Sequence, residues 1–108
     1  ETGYVVNGSA KAWVNLNGTG AIAIRDSLNV ASLTDNGTGL YSANFTNSMG
    51  NTNYMANVSA VIPTNSVQTD VISLTVSGAS FGVINGTATA IARADTFALY
   101  ASTHGDLA

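Results

Sequence analysis

The sequence predicts an all-β fold: an antiparallel β-sandwich or small barrel of about eight short strands. Apolar side chains alternate with period two in nearly every segment, helical spacing is almost absent, and Asn and Gly clusters interrupt the chain at short intervals. A length of 108 residues suits one domain with one core. We therefore expect residues 10–108 to form a single β domain, and residues 1–9 to be a linker or cloning remnant plus a first short strand.

The first half of the chain alternates most clearly. A strand at 11–16 places Trp13 and Asn15 opposite an apolar face, and further strands are expected at 21–25 and 28–34. The third of these strands needs a bulge to keep its apolar residues on one face.

That bulge is expected near Ala31 or Ser32, where the spacing of apolar residues slips by one position. The cluster Asp35-Asn36-Gly37-Thr38-Gly39 follows, and its Asn and Gly residues tolerate the backbone angles of a tight turn. It predicts a hairpin into a fourth strand at 40–47.

The second half is less regular. A polar loop is expected at 47–53, followed by the longest strand at 54–62, which Pro63 ends because proline removes a ladder donor. A second loop is expected at 64–70. The remaining segments are a strand at 71–77, an ambiguous stretch at 78–86, a strand or a helix at 87–94, and a last strand at 95–102.

Composition excludes several classes of function. Charged residues make up 8% of the chain and the formal net charge is −3, so we expect neither nucleic-acid binding nor membrane insertion. The absence of cysteine excludes disulfides, thiolate metal sites and a cysteine nucleophile. Asn, Thr, Ser and Gly together supply 47 of the 108 residues. Uncharged β edges of this composition tend to pair with other chains, which favours self-assembly.

Residues suited to catalysis or metal binding form no recognisable pattern. The single histidine, His104, has no nucleophile motif near it in the sequence, and we expect it to be exposed in a C-terminal tail. The acidic residues fall mostly at turns, where Asp usually caps its own backbone. We therefore predict no catalytic residues, no metal, no cofactor and no enzymatic activity.

Aromatic side chains offer one binding chemistry. Trp13 and the four tyrosines could form a platform on which sugar rings stack. The alternation leaves two alternatives for Trp13: it is exposed for such stacking, or it is buried in an interface or a second layer.

Residues 10–56 carry a signature of five segments in fixed order. The segments are AKAWVNLNGTG (10–20), AIRDS (23–27) with Asn29-Val30, TDNGTG (34–39), YSANFT (41–46) and NY (53–54). In order and spacing they resemble a domain near the C-termini of bacteriophage and prophage tail-fibre proteins. The resemblance implies a distal, homotrimeric fibre domain of the virion that binds a receptor on the bacterial surface, a glycan or an outer-membrane component, without enzymatic activity.

The resemblance also implies roles for individual residues. Six positions are expected to determine the fold: Trp13, Asn15, Asp35, Asn36, Gly37 and Phe45. Receptor contacts are expected on tip loops, at 64–68 and, above all, at Asn47, Ser48, Met49, Asn51, Asn53 and Tyr54. A further N-terminal segment outside this chain would attach the fibre to other virion tail proteins.

Three alternatives remain open at this point. The chain could be a purely structural trimerisation and display module of a virion fibre, which predicts no binding pocket. It could be a carbohydrate-binding module, which predicts a monomer with an exposed Trp13. It could also be part of a polysaccharide depolymerase, which would need two carboxylates in a groove.

Overall fold

The computed structural model describes residues 9–61, 66–86, 91–96 and 98–108. Within these ranges the chain forms nine β-strands and no helix, so the all-β prediction is confirmed with one strand more than expected. The strands are β1 (Ala10–Asn17), β2 (Ala23–Leu28), β3 (Val30–Gly37), β4 (Leu40–Phe45), β5 (Met55–Val61), β6 (Ser66–Thr75), β7 (Gly78–Gly86), β8 (Ile91–Arg93) and β9 (Ala98–His104).

The strands form two antiparallel sheets that pack against each other. Sheet A has the order β2-β1-β9-β5, and sheet B has the order β3-β4-β7-β6, with β8 also paired to β7. Strands from opposite ends of the chain are therefore neighbours in sheet A: Trp13 of β1 pairs with Ser102 of β9. The edge strands β2 and β3 lie on one side of the domain, and β5 and β6 lie on the other.

The core lies between the two sheets and is built by alternating side chains. In β1 the apolar face predicted from the sequence, Ala12, Val14 and Leu16, is buried, while Trp13 and Asn15 point to the outer face of sheet A. Sheet B contributes Tyr41 and Phe81, among others, to the same core. Burial of this apolar area is the main favourable contribution to folding.

Two local predictions in the first half are confirmed. The register of β3 against β4 shifts between Val30 and Ser32, which places the bulge at Ala31. The hairpin between β3 and β4 turns at the predicted cluster. The second strand begins two residues later than predicted and continues to Leu28, and it is separated from β3 by Asn29. Asn29 has a φ of 59°, a left-handed conformation that Asn tolerates better than most residues.

Two assignments in the second half were wrong or undecided. Residues 66–70 belong to β6, not to a loop, and β6 rather than β5 is the longest strand. The reason is that β6 is an edge strand paired along β7, where polar side chains are tolerated: Gln68 is exposed, Thr69 donates to the Val58 carbonyl and Asp70 pairs with Arg93. The ambiguous stretch at 78–86 is β7, which pairs with β4, β6 and β8. The predicted strand end at 62–63 and the segment 87–90 lie outside the described residues.

A hydrogen-bond cluster around the buried hydroxyl of Tyr41 closes one end of the two sheets, and we call it the Tyr41 cluster. The hydroxyl of Tyr41 lies 3.1 Å from the carbonyl oxygen of Gly18 and 3.0 Å from Oδ1 of Asp95, and accepts from the backbone N–H of Thr96 at 3.4 Å. Gly18 N–H donates to the Thr96 carbonyl at 2.8 Å. Oδ1 of Asp95 also accepts from the N–H of Gly39. We expected the acidic residues at turns to cap their own backbone. Asp95 instead joins turns that are distant in the sequence.

The Tyr41 cluster predicts a loss of stability at alkaline pH. Burial, and after it the hydrogen bond to Asp95, raises the pKa of Tyr41 from 10.0 to about 12. Because the folded-state pKa is the higher one, the stabilisation is fully present below pH 10 and is lost as the pH rises through the folded-state pKa. Chemical unfolding measured across this pH range should show that the free energy of unfolding falls less steeply with pH for Tyr41→Phe than for the parent chain. Equal slopes for the two proteins would contradict the assignment.

Candidate functional site

The outer face of sheet A, turned away from sheet B, carries a concave surface of about 490 Å³. Its walls come from three adjacent strands, β1, β9 and β5. We call it the Trp13 groove. The lining residues are Trp13, Val14, Asn15, Asn57, Val58, Ser59, Tyr100, Ala101 and Ser102. The volume falls within the range of about 300–1,000 Å³ that is usual for small-molecule sites.

Strand register arranges the outward side chains of the groove in two parallel rows. The first row runs across the sheet through Trp13, Ser102 and Asn57, which pair in sequence from β1 to β9 to β5.

The second row runs through Asn15, Tyr100 and Ser59 in the same strand order. Each row therefore holds one aromatic, one amide and one hydroxyl side chain. The two aromatics, Trp13 and Tyr100, are diagonal neighbours on adjacent strands, a placement that lets long side chains contact each other.

The polar groups of the groove are available to a ligand. Tyr100 is 43% exposed and Trp13 is half-buried. Within the described part of the chain, the side chains of Asn57, Ser59 and Ser102 form no hydrogen bond. Asn15 accepts a long hydrogen bond of 3.4 Å from Arg25. None of the nine lining residues is charged, so the groove combines apolar stacking surface with neutral donors and acceptors.

The receptor contacts expected at 47–54 do not all lie on the surface, because two of these residues are buried. Met49 is 1% exposed: its N–H donates to the Val76 carbonyl, and it pairs with Leu107 near the C-terminus. Tyr54 is 5% exposed, its hydroxyl lies 2.7 Å from the Thr75 carbonyl oxygen, and its ring contacts Phe45 edge to face. Neither side chain is accessible to a receptor in this structure.

The other proposed contacts stay on the surface of the same loop. Asn47, Asn51 and Asn53 are exposed and Ser48 is half-buried. The loop lies at the end of the domain where β1 begins and β9 ends. Of the second proposed loop, 64–65 lie outside the described residues, and Gln68 is an exposed residue within β6 near the opposite end. The two proposed loops therefore do not converge on one site.

The backbone of the 47–53 loop is held at several points. The Asn29 side chain donates to the Asn47 carbonyl and accepts from the Asn47 N–H, at 3.0 and 2.7 Å. Gly50 N–H donates to the Asp106 carbonyl, and Ala108 N–H donates to the Ser48 carbonyl. The exposed amides are thus presented on a loop that packs against the C-terminal residues.

The six positions expected to determine the fold occupy two environments. Four of them belong to the β3–β4 hairpin and stabilise it and its packing. Asp35 accepts from the N–H of Gly37, Asn36 donates to the Ser42 hydroxyl at 2.6 Å, and Phe45 packs against the core. The other two, Trp13 and Asn15, lie on the outer face of sheet A and line the groove.

Titratable groups elsewhere form no further site. His104 lies in β9, not in an exposed tail: it is half-buried, and its Nδ1 is buried without a hydrogen-bond partner among the described residues. Asp70 forms two hydrogen bonds to Arg93, at 2.8 and 3.0 Å, and this pairing holds the pKa of Asp70 below its ordinary value. The described ranges contain no grouping of three His, Cys, Asp or Glu side chains suited to a metal. They also contain no helix long and apolar enough to cross a bilayer.

Three polar residues of the groove were not singled out from the sequence: Asn57, Ser59 and Ser102. Tyr100 was considered only as one of the four tyrosines of a stacking platform with Trp13. A signal existed in β9, where Leu99 and Ala101 alternate with Tyr100 and Ser102 and therefore assign these two to the outer face. Their proximity to Trp13 depends on pairing between the two ends of the chain, which local patterns do not contain.

The chain is thus a two-sheet all-β domain whose sheet A carries a groove lined by uncharged residues, two of them aromatic. No protein-family model, no curated protein and no solved structure matches the chain.

Proposed function

We propose that the chain is a non-enzymatic binding domain of a phage tail fibre, and that it attaches the virion to a receptor on the bacterial surface through the Trp13 groove. The observation that supports a binding role is the groove itself, where Trp13 and Tyr100 stand among solvated amides and hydroxyls. The resemblance of residues 10–56 to tail-fibre domains supplies the context. The ion pair between Asp70 and Arg93 lies in sheet B and is therefore not part of the Trp13 groove.

Trimerisation is part of the proposal. The edge strands β2 and β3 leave unpaired backbone groups on one side of the domain, and neighbouring copies would cover them. Three copies would also present three grooves, so that weak individual sites act together through their high effective concentration.

The proposal is tested by binding of fluorescently labelled domain to a panel of bacterial strains, measured by flow cytometry. For strains that bind the parent chain, Tyr100→Ala should reduce bound fluorescence by about tenfold or more, because truncation of a central aromatic contact removes a dominant share of binding energy. Ile72→Ala is the matched control, since Ile72 is similarly exposed, at 47%, but lies on β6. Thermal unfolding of both variants verifies the fold.

Two results would contradict the proposal. One is absence of binding to every strain. The other is a loss of binding for Asn51→Ala with full binding for Tyr100→Ala, which would assign the receptor site to the 47–53 loop.

A structural trimerisation and display module is the second candidate. It is favoured by the exposure of β2, in which Ile24 and Leu28 remain accessible on the surface. Light scattering that gives three times the mass of 10.9 kDa, together with no cell binding, would favour this function. A stable monomer that binds cells through the groove would instead favour a carbohydrate-binding module.

A further inference from the structure

We propose that the Trp13 groove binds a neutral glycan, with sugar rings stacked on Trp13 and Tyr100 and sugar hydroxyls bonded to Asn15, Asn57, Ser59 and Ser102. This inference rests on the proposed function and names the chemical class of its receptor. It follows from three properties of the groove: its charge, its position in the sheet and the order of its side chains.

The absence of charge selects against ionic ligands. A sulfated, phosphorylated or carboxylate-rich ligand would enter a groove that offers no cationic side chain among its nine lining residues. At the edge of the groove the Arg25 guanidinium donates to Asn15 at 3.4 Å and to the Leu16 carbonyl at 2.9 Å, and Asp26 of the same strand pairs with Asn15, so this edge carries one charge of each sign. Neutral hydroxyl groups match the amide and hydroxyl donors that are present, since each can donate and accept.

The position in the sheet selects against an extended peptide. A peptide gains affinity from a sheet by adding a strand at its edge, where backbone N–H and C=O groups are unpaired. β1 and β9, which supply both aromatics, are interior strands of sheet A with partners on both sides. A ligand stacked on the two aromatics therefore contacts side chains of interior strands, and the nearest open backbone edge is that of β5, on the far side of β9 from Trp13.

The order of side chains selects against a lipid. A lipid chain prefers a continuous apolar surface, whereas each row of the groove places an amide and a hydroxyl beside a single aromatic. This alternation matches a sugar ring, which has an apolar C–H face and polar hydroxyls around its rim. Two rows with the same set of side chains provide two stacking positions on neighbouring strands.

Trp13 is the only tryptophan of the chain, so its fluorescence reports directly on the groove. The probes are neutral oligosaccharides of two to six units built from glucose, galactose, mannose or N-acetylglucosamine, with heparin as a polyanionic control. At least one neutral series should change Trp13 emission saturably, and heparin should not. Asn57→Ala should raise the dissociation constant for that sugar series by about tenfold. Tyr100→Phe keeps the aromatic ring and should change the same constant by less than about threefold.

The Ile72→Ala variant, on the opposite sheet, should bind as the parent chain does. Failure of all neutral oligosaccharides to bind would overturn the glycan assignment. If the domain then still binds cells, and Tyr100→Ala still reduces that binding, the proposed function stands with a different class of receptor. A Trp13 emission that changes with protein concentration alone and is unaffected by sugars would also overturn it, and would assign the face to contact between copies of this chain. Loss of both cell binding and sugar binding would remove the proposed function as well.

Discussion

Alanine in place of Gly18 is expected to lower the free energy of unfolding by about 3 kcal/mol, the sum of overpacking and weakened buried hydrogen bonds. A Cβ at this position would overlap the hydroxyl of Tyr41 and would lie 2.8 Å from the Thr96 carbonyl oxygen. Both atoms belong to the Tyr41 cluster, so the new methyl group displaces the bonds that join β4 to the turns after β1 and before β9. The melting temperature should fall by about 10 °C.

Gly20→Ala is the matched control for this prediction, because it changes a glycine in the same turn. Gly20 has a φ of 63° and no atom within 4 Å of an added Cβ, so the substitution adds only backbone strain of about 1 kcal/mol. Thermal and chemical unfolding of both variants measure the difference. If Gly18→Ala proved no more destabilising than Gly20→Ala, the packing around Gly18 would not have the close contact described above.

The substitution Phe81→Ala is expected to lower the free energy of unfolding by about 4 kcal/mol, typical of the loss of a buried aromatic ring and the cavity left behind. Phe81 is 2% exposed in β7, where it pairs with Tyr41 on one side and Val71 on the other. Because β7 is the strand that joins three others in sheet B, few neighbours can move to fill the cavity.

Guanidinium unfolding at fixed protein concentration provides the measurement, since self-association would shift the apparent stability. Ile72→Ala on β6 shortens an apolar side chain at an exposed position and should change the stability by less than about 1 kcal/mol. A similar loss for both variants would argue against a core centred on Phe81.

Sequence patterns predicted the structure most accurately where the determining interactions are local. Alternation in β1 identified its buried face, and the slip near Ala31 identified a bulge, because period-two patterning is a property of neighbouring residues. The 66–70 segment was assigned to a loop since its polar residues mimic one. Only its pairing along β7 reveals that it is an edge strand.

The candidate site was harder to predict than the fold. Met49 and Tyr54 stand among amides and glycine in the sequence, so they suggested an exposed loop, yet both are buried against residues from later in the chain. Trp13 was correctly placed opposite the buried face of β1. Its groove could not be predicted, because Tyr100 and Asn57 reach it only through the order of strands in sheet A.

The arrangement of the chain ends has a consequence for how such a domain would approach a cell. β1 starts and β9 finishes at the same end of the molecule, whereas the Trp13 groove lies on a flank of sheet A. A fibre shaft placed before Ser9 would therefore display the groove laterally instead of at its leading point. In the trimer that we propose, three such flanks around one axis would face three directions, so that polymer chains rising from a bacterial envelope would contact the grooves from the side.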